Sequence, residues 1–165
     1  MNAPKTRCGF VALLGAPNAG KSTLVNQLVG AKVSIVTHKV QTTRSRIRGI
    51  ALEGDAQIVL VDTPGIFQPK RRLDRAMVHA AWAGAGDADV VVLVADARQG
   101  IDDDTMRIVE GLKESGRKAV LALNKVDDIR REKLLPVAAA FSEVFEFERV
   151  FMISALNGSG CADLR

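Results

Sequence analysis

What this chain of 165 residues lacks narrows what it can be. There are only two cysteines, Cys8 and Cys161, near opposite ends and without metal-ligand partners at useful spacing. That excludes a disulfide-stapled scaffold and a cysteine zinc site, and suits the reduced thiols of a cytosolic protein. No apolar stretch is long enough to cross a membrane. Lys5 and Arg7 ahead of the apolar run Phe10 to Leu14 imitate a signal peptide, but the run is too short for one. Internal repeats and low-complexity tracts are missing too, which excludes repeat arrays.

The most telling absence is of one charge sign. Residues 1–52 contain no Asp or Glu, yet they hold Lys5, Arg7, Lys21, Lys32, Lys39, Arg44, Arg46 and Arg48. The net charge is only +4, with 23 basic against 19 acidic residues, so every acid lies from Glu53 onward. Such a basic first third would attract a nucleoside triphosphate or an RNA backbone, and the charge pattern alone leaves both open. With 47% hydrophobic and 25% charged residues, the chain is an ordinary one-domain globule large enough for its own core.

What is present is concentrated in a few short patterns. Gly15-Ala16-Pro17-Asn18-Ala19-Gly20-Lys21-Ser22 matches G-x-x-x-x-G-K-[ST], a loop whose backbone N–H groups turn inward around a polyphosphate. Lys21 supplies a point charge for the terminal phosphates, and the Ser22 hydroxyl is a ligand for Mg²⁺. The run Phe10 to Leu14 before the loop suits a buried strand. Ser22 and Thr23 open a stretch with helical spacing that ends at Gly30, so the positive end of that helix would face the phosphates.

Strands are expected over 10–14, 47–52, 57–61, 90–95, 119–123 and 150–153, with the second and third paired through Glu53-Gly54-Asp55. Helices are expected over 22–29, 73–85, 102–115 and 130–144, the last despite Pro136, which should sit near its start or bend it. Residues 31–46 read as a long loop. The alternation predicts an α/β fold: a P-loop NTPase three-layer sandwich with a mostly parallel six-stranded sheet and helices on both faces.

Two apolar strands end in an acid, Asp62 and Asp96, and either could hold Mg²⁺ through water. Asp62 leads into Thr63-Pro64-Gly65, where a glycine lets backbone N–H approach a terminal phosphate; Asp96 leads into Ala97-Arg98, which offers nothing similar. The metal role therefore goes to Asp62, and Asp96 is left as a strand-end turn residue. Farther on, Asn124-Lys125-Val126-Asp127 reads the base. The Asp127 carboxylate accepts from the N1–H and 2-amino donors of guanine, which adenine lacks. Asn124 ties the loop together, the Lys125 stem covers the ring, and Ser154-Ala155-Leu156 presents backbone N–H groups to the base oxygen. Thr43, with Thr42 as the alternative, would deliver a hydroxyl to Mg²⁺ from the loop and make its order depend on the terminal phosphate. Asp102-Asp103-Asp104 reads as a helix start, and His38 and His79 as surface residues.

With these motifs in order, the chain resembles the TrmE–Era–EngA group of translation-factor-class GTPases, and within it the Era type. The specific cues are Lys32-Val33-Ser34-Ile35 followed by Gln41-Thr42-Thr43-Arg44-Ser45, and Asp62-Thr63-Pro64-Gly65-Ile66-Phe67 with Pro69-Lys70. The resemblance implies binding of GTP and GDP with Mg²⁺ at Ser22, Thr43 and Asp62, and GTP hydrolysis with Lys21, Thr43, Gly65 and Asn18 in the catalytic machinery. It also implies work in small ribosomal subunit maturation, through small-subunit (16S) ribosomal RNA and the small subunit itself.

Such proteins continue into a final helix and a KH-type RNA-binding domain with a G-x-x-G loop. No G-x-x-G occurs here, so residues 1–165 are expected to be the GTPase domain alone, short of its last helix and without the KH domain. A monomer in the cytoplasm is expected, with peripheral contact at the inner membrane as a further option. Ras-like enzymes place a water-orienting glutamine after the D-x-x-G motif; here that position is Ile66. Relatives with this replacement use an asparagine of the phosphate loop to hold K⁺, and Asn18 matches it. Two competing readings stay open: a P-loop nucleotide kinase, against which Asn124 and Asp127 argue, and a GTP-dependent binding module without hydrolysis.

Overall fold

The computed structural model describes residues 6–31 and 47–165, with the backbone alone at 47 and 48. Thr42, Thr43, His38 and the cues between Lys32 and Ser45 lie outside the described residues. Six strands form one sheet in the order β2-β3-β1-β4-β5-β6. They are β1 (Arg7–Leu14), β2 (Ile47–Glu53), β3 (Ala56–Asp62), β4 (Val90–Asp96), β5 (Val120–Asn124) and β6 (Val150–Met152). β2 runs antiparallel to β3, and every other pairing is parallel.

The helices are α1 (Lys21–Val29), α2 (Arg72–Gly86), α3 (Asp103–Ser115), α4 (Leu134–Val144) and the four-residue α5 (Cys161–Leu164). Alternation along β1 divides the core. Ala12 and Leu14 face a cluster with Ala81 of α2, Ile108 and Leu112 of α3, and Phe141 of α4. Leu13 faces the other cluster, with Leu24, Val25 and Leu28 of α1 and Cys161 of α5. The three-layer architecture read from the sequence is therefore present.

Small residues decide how closely the layers approach. α2 buries Ala81, Gly84 and Ala85 against the sheet, and its Trp82 ring lies where a side chain at Gly111 of α3 would go. Asp102 starts α3 as expected: its side chain accepts a hydrogen bond from the Thr105 N–H at 2.8 Å. Of the basic run Lys70-Arg71-Arg72, two backbone N–H groups are taken by Asp74, which caps α2 at 3.2 and 2.9 Å.

Element ends differ from expectation for local reasons. β1 starts three residues early because Arg7 to Gly9 pair with Ala56 to Ile58. The helix expected over 130–144 opens with a 3₁₀ turn, Arg131–Lys133, and becomes α-helical at Leu134. Pro136 then falls in its first turn, where no intrahelical N–H bond is lost. α5 is too short to leave a periodic signal. Both cysteines are free thiols, Cys8 exposed and Cys161 buried. No helix among the described residues is long and apolar enough to cross a membrane.

Candidate functional site

β1 lies between β3 and β4, where the strand order reverses, and open parallel sheets form their ligand crevice at such a point beyond the strand C-termini. The nucleotide motifs among the described residues all leave a strand at that end. The phosphate loop follows β1, Asp62 ends β3, Asp96 ends β4, Asn124 ends β5, and Ser154 follows β6.

The loop from Gly15 to Ser22 wraps the start of α1. Gly20, at φ 101°, stands before the first helical residue, and no side chain caps this N-terminus. A helix end of this kind, with glycine rather than a capping side chain, suits an anion. Gly15 has no room for a Cβ, which would run into the Val94 carbonyl. Lys21 is 6% exposed, and its Nζ donates to the Gly15 and Ala16 carbonyls at 3.1 and 3.0 Å. Burial pulls its pKa down from the ordinary value to about 8, partly opposed by the nearby Asp62 carboxylate.

Beside it, the Ser22 hydroxyl donates to Asp62 Oδ2 at 2.7 Å, both residues being buried. A hydroxyl and a carboxylate held together are hard oxygen donors of the kind Mg²⁺ takes, so the pair fits that ion. Thr63 adds a lock that sequence reasoning did not single out: its hydroxyl donates to the Leu13 carbonyl at 2.6 Å and fixes the end of β3 to β1. Gly65 abuts Pro17 so closely that a Cβ would meet its backbone, and the Ile66 N–H donates to the Gly15 carbonyl at 2.9 Å. The segment after Asp62 is therefore pinned to the phosphate loop. Ile66 itself is 2% exposed and packs in the cluster of Leu14, Leu93 and Ile108. Its side chain belongs to the core.

The base-reading segment is tied to the same loop. Asn124 Nδ2 donates to the Ala19 carbonyl at 2.9 Å, and Asn124 Oδ1 accepts from the Ala155 N–H at 2.9 Å. One buried carboxamide thus joins the phosphate loop, the end of β5 and the segment Ser154-Ala155-Leu156. Lys125 adopts a left-handed φ of 65°, and its Nζ donates to the Asn18 carbonyl at 2.6 Å; Asn18 is left-handed too, at φ 62°. Asp127 is exposed and makes no hydrogen bond or ion pair among the described residues, so its carboxylate is open to a ligand. Thr23, Ala155 and Leu156 line an open hollow of about 370 Å³ beside α1. The structure thus brings Gly15 to Thr23, Asp62, Gly65, Asn124 to Asp127 and Ser154 to Leu156 to one crevice. Thr43 lies outside the described residues.

Asp96 ends β4 at a turn, as expected, and its side chain also carries ion pairs that the sequence did not suggest. It is 7% exposed and pairs with Lys125 at 3.0 Å and Arg98 at 2.8 Å, while Arg98 also reaches Asp128 at 2.5 Å. A strand-end acid followed by arginine could have hinted at this, but its partner Lys125 lies 29 residues on and only the fold brings the two together. Among the described residues, no group of three or more His, Cys, Asp or Glu side chains could hold a metal.

A phosphate loop at the switch point of a mostly parallel sheet, with N-K-x-D tied to it, defines a P-loop GTPase domain. The chain belongs to the family described as 50S ribosome-binding GTPase, whose model matches residues 10–125. Within it, the chain is Era-like. It is 67% identical to GTPase Era of Rhizobium meliloti (strain 1021), over 98% of this chain and 52% of that protein. A crystal structure of Era in complex with MgGDPNP and nucleotides 1506-1542 of 16S ribosomal RNA superposes with a TM-score of 0.91. It shares 36% identity and covers 96% of this chain and 55% of that one. A point variant of Aquifex aeolicus Era bound to GDP.AlF4- gives a TM-score of 0.90 at the same identity and coverage. The chain spans about half the length of the curated relatives it matches.

Proposed function

We propose that residues 1–165 form the GTPase domain of an Era-type switch protein, which binds GTP and GDP and hydrolyses GTP in the cytoplasm during small-subunit assembly. The observation that carries this reading is the buried Asn124 carboxamide, which holds a phosphate loop and a guanine-type base-reading segment in one crevice. A kinase reading leaves that connection without purpose. RNA contact is supported by the Era–16S ribosomal RNA complex and by the acid-free first 52 residues.

In this mechanism the nucleotide phosphates rest on the loop from Gly15 to Ser22 and on the Thr23 N–H. Lys21 Nζ exchanges the Gly15 and Ala16 carbonyls for phosphate oxygens, which favour its charged form. Ser22, Thr43 and, through water, Asp62 are the residues that would hold Mg²⁺, which would supply positive charge to offset that of the phosphates. The Gly65 N–H approaches the terminal phosphate from the segment pinned at Pro17. No side chain in the crevice acts as a general base, since positioning and charge stabilisation carry phosphoryl transfer. With Ile66 in the core, water orientation falls to other groups. The exposed carboxamide of Asn18 is the residue of this chain that would hold K⁺ beside the phosphates.

Base choice is the test that separates this reading from other P-loop enzymes. Replacing Asp127 by Asn exchanges an acceptor pair for a mixed donor and acceptor, which matches xanthine better than guanine. Asp127→Asn should bind GDP at least about a hundredfold more weakly and gain affinity for xanthosine diphosphate. Unchanged GDP binding in that variant, measured by isothermal titration, would contradict the assignment.

A further inference from the structure

The fold joins Lys125 of the base-reading turn to three charged residues outside that motif, Asp96, Arg98 and Asp128. Asp96 ends β4 with 7% exposure, and its Oδ2 receives Lys125 Nζ at 3.0 Å. Arg98 donates to the same carboxylate through Nε at 3.0 Å and Nη2 at 2.8 Å, and through Nη1 to Asp128 at 2.5 Å. The Arg98 backbone N–H closes the cluster onto Asp96 Oδ1 at 2.9 Å. The turn that carries Asp127 is therefore held on both sides, at Lys125 by Asp96 and at Asp128 by Arg98.

We propose that Asp96, acting with Arg98, is a positioning residue for guanine recognition: it fixes Lys125 over the base position and orients the Asp127 turn. This rests on the guanine-nucleotide reading above and deepens it. Lys125 sits at a left-handed φ of 65°, a conformation that side-chain-bearing residues rarely adopt, so something must hold it there. Its Nζ has two anchors, the Asn18 carbonyl at 2.6 Å and the Asp96 carboxylate. The first ties it to the phosphate loop; the second stops the ammonium from swinging outward and uncovering the ring. Burial alone would push the Asp96 carboxyl up, but hydrogen bonds from Arg98 and Lys125 outweigh it and hold its pKa below the ordinary value. The carboxylate is thus charged throughout the neutral range. Ala97 N–H donates to the Asn124 carbonyl at 2.9 Å, so β4's end and the base-reading segment are also joined through the backbone.

The test compares ligands that do and do not carry a base. GDP and inorganic tripolyphosphate are titrated into the 165-residue chain and into Asp96→Asn, Lys125→Met, the double variant and Arg98→Met. Asp96→Asn should lose about tenfold in GDP affinity and keep its tripolyphosphate affinity within about twofold. In the Lys125→Met background the same substitution should cost little, because its target is gone. Arg98→Met, which leaves the carboxylate facing Lys125, should show a smaller loss of the same kind; it carries the test alone if Asp96→Asn does not fold. Equal losses for GDP and tripolyphosphate would mean that Asp96 merely braces the fold, and would overturn the proposal. So would an undiminished GDP affinity in both Asp96→Asn and Arg98→Met, or an undiminished Asp96→Asn cost with Lys125 already replaced. A wild-type chain that binds tripolyphosphate but not GDP would instead refute the guanine reading itself.

Discussion

Asn124 is the residue on which the geometry of the crevice depends, and its connection to Gly20 can be measured. Replacing Asn124 by Ala removes two buried hydrogen bonds, to the Ala19 carbonyl and from the Ala155 N–H. Leaving each backbone partner without its bond costs about 1–3 kcal/mol, or about 2–6 kcal/mol for the pair. That is a large share of the roughly 5–15 kcal/mol by which a domain is stable. A Cβ at Gly20 would fall on the Asn124 amide nitrogen, so Gly20→Ala should expel the carboxamide and break the same bonds. It adds about 1–2 kcal/mol for a side chain at a left-handed φ of 101°. In the double variant the bonds can be lost only once, so it should be more stable than the two single losses predict by about 2 kcal/mol or more. Urea unfolding of the four chains, followed through the single tryptophan Trp82, reads this directly. Losses that add to within about 0.5 kcal/mol would show that Gly20 and Asn124 do not act through the same bonds.

Other expectations follow from single residues. Lys21 has a pKa of about 8 without nucleotide, and phosphate beside it favours the charged form, so binding takes up a proton above that pH. GDP affinity should then fall as pH rises from about 8 to 9, by up to about tenfold per unit. Titrations across that window would show it, and a flat profile would contradict it. In the nucleotide-free chain the sign reverses. The unfolded lysine titrates at about 10.4, so the unfolded state binds more protons between about pH 8 and 10.4 and this residue's contribution to stability rises with pH. Asp102→Ala removes the cap of α3 and should cost about 1 kcal/mol in urea unfolding while leaving GDP affinity unchanged.

The sheet was legible because its strands are continuous apolar runs such as Val90 to Ala95 and Ala119 to Leu123, which only a sheet covered on both faces buries. The crevice was legible because three of its segments carry spacing fixed by phosphate and base chemistry. What escaped was assembled by the fold. The Thr63 hydroxyl finds Leu13, which lies 50 residues earlier, and Lys125 finds Asn18 across 107 residues. Ile66 illustrates the same limit. Its chemistry excludes water orientation from sequence alone, whereas its place in the core emerges only from the packing of α2 and α3 against β1. Likewise the 3₁₀ opening before α4 follows from Pro136 requiring a first-turn position, a preference that fixes a neighbourhood and not a residue.

Whether this crevice binds and hydrolyses GTP with the chain's own residues is decided by one assay. Phosphate release with Mg²⁺ should be followed for GTP and ATP, in K⁺ and in Na⁺ at matched ionic strength. Release is expected from GTP only, faster in K⁺, with the K⁺ advantage lost in Asn18→Ala. Release from ATP at the same rate, or none from GTP in either salt despite tight GTP binding, would contradict the GTPase reading.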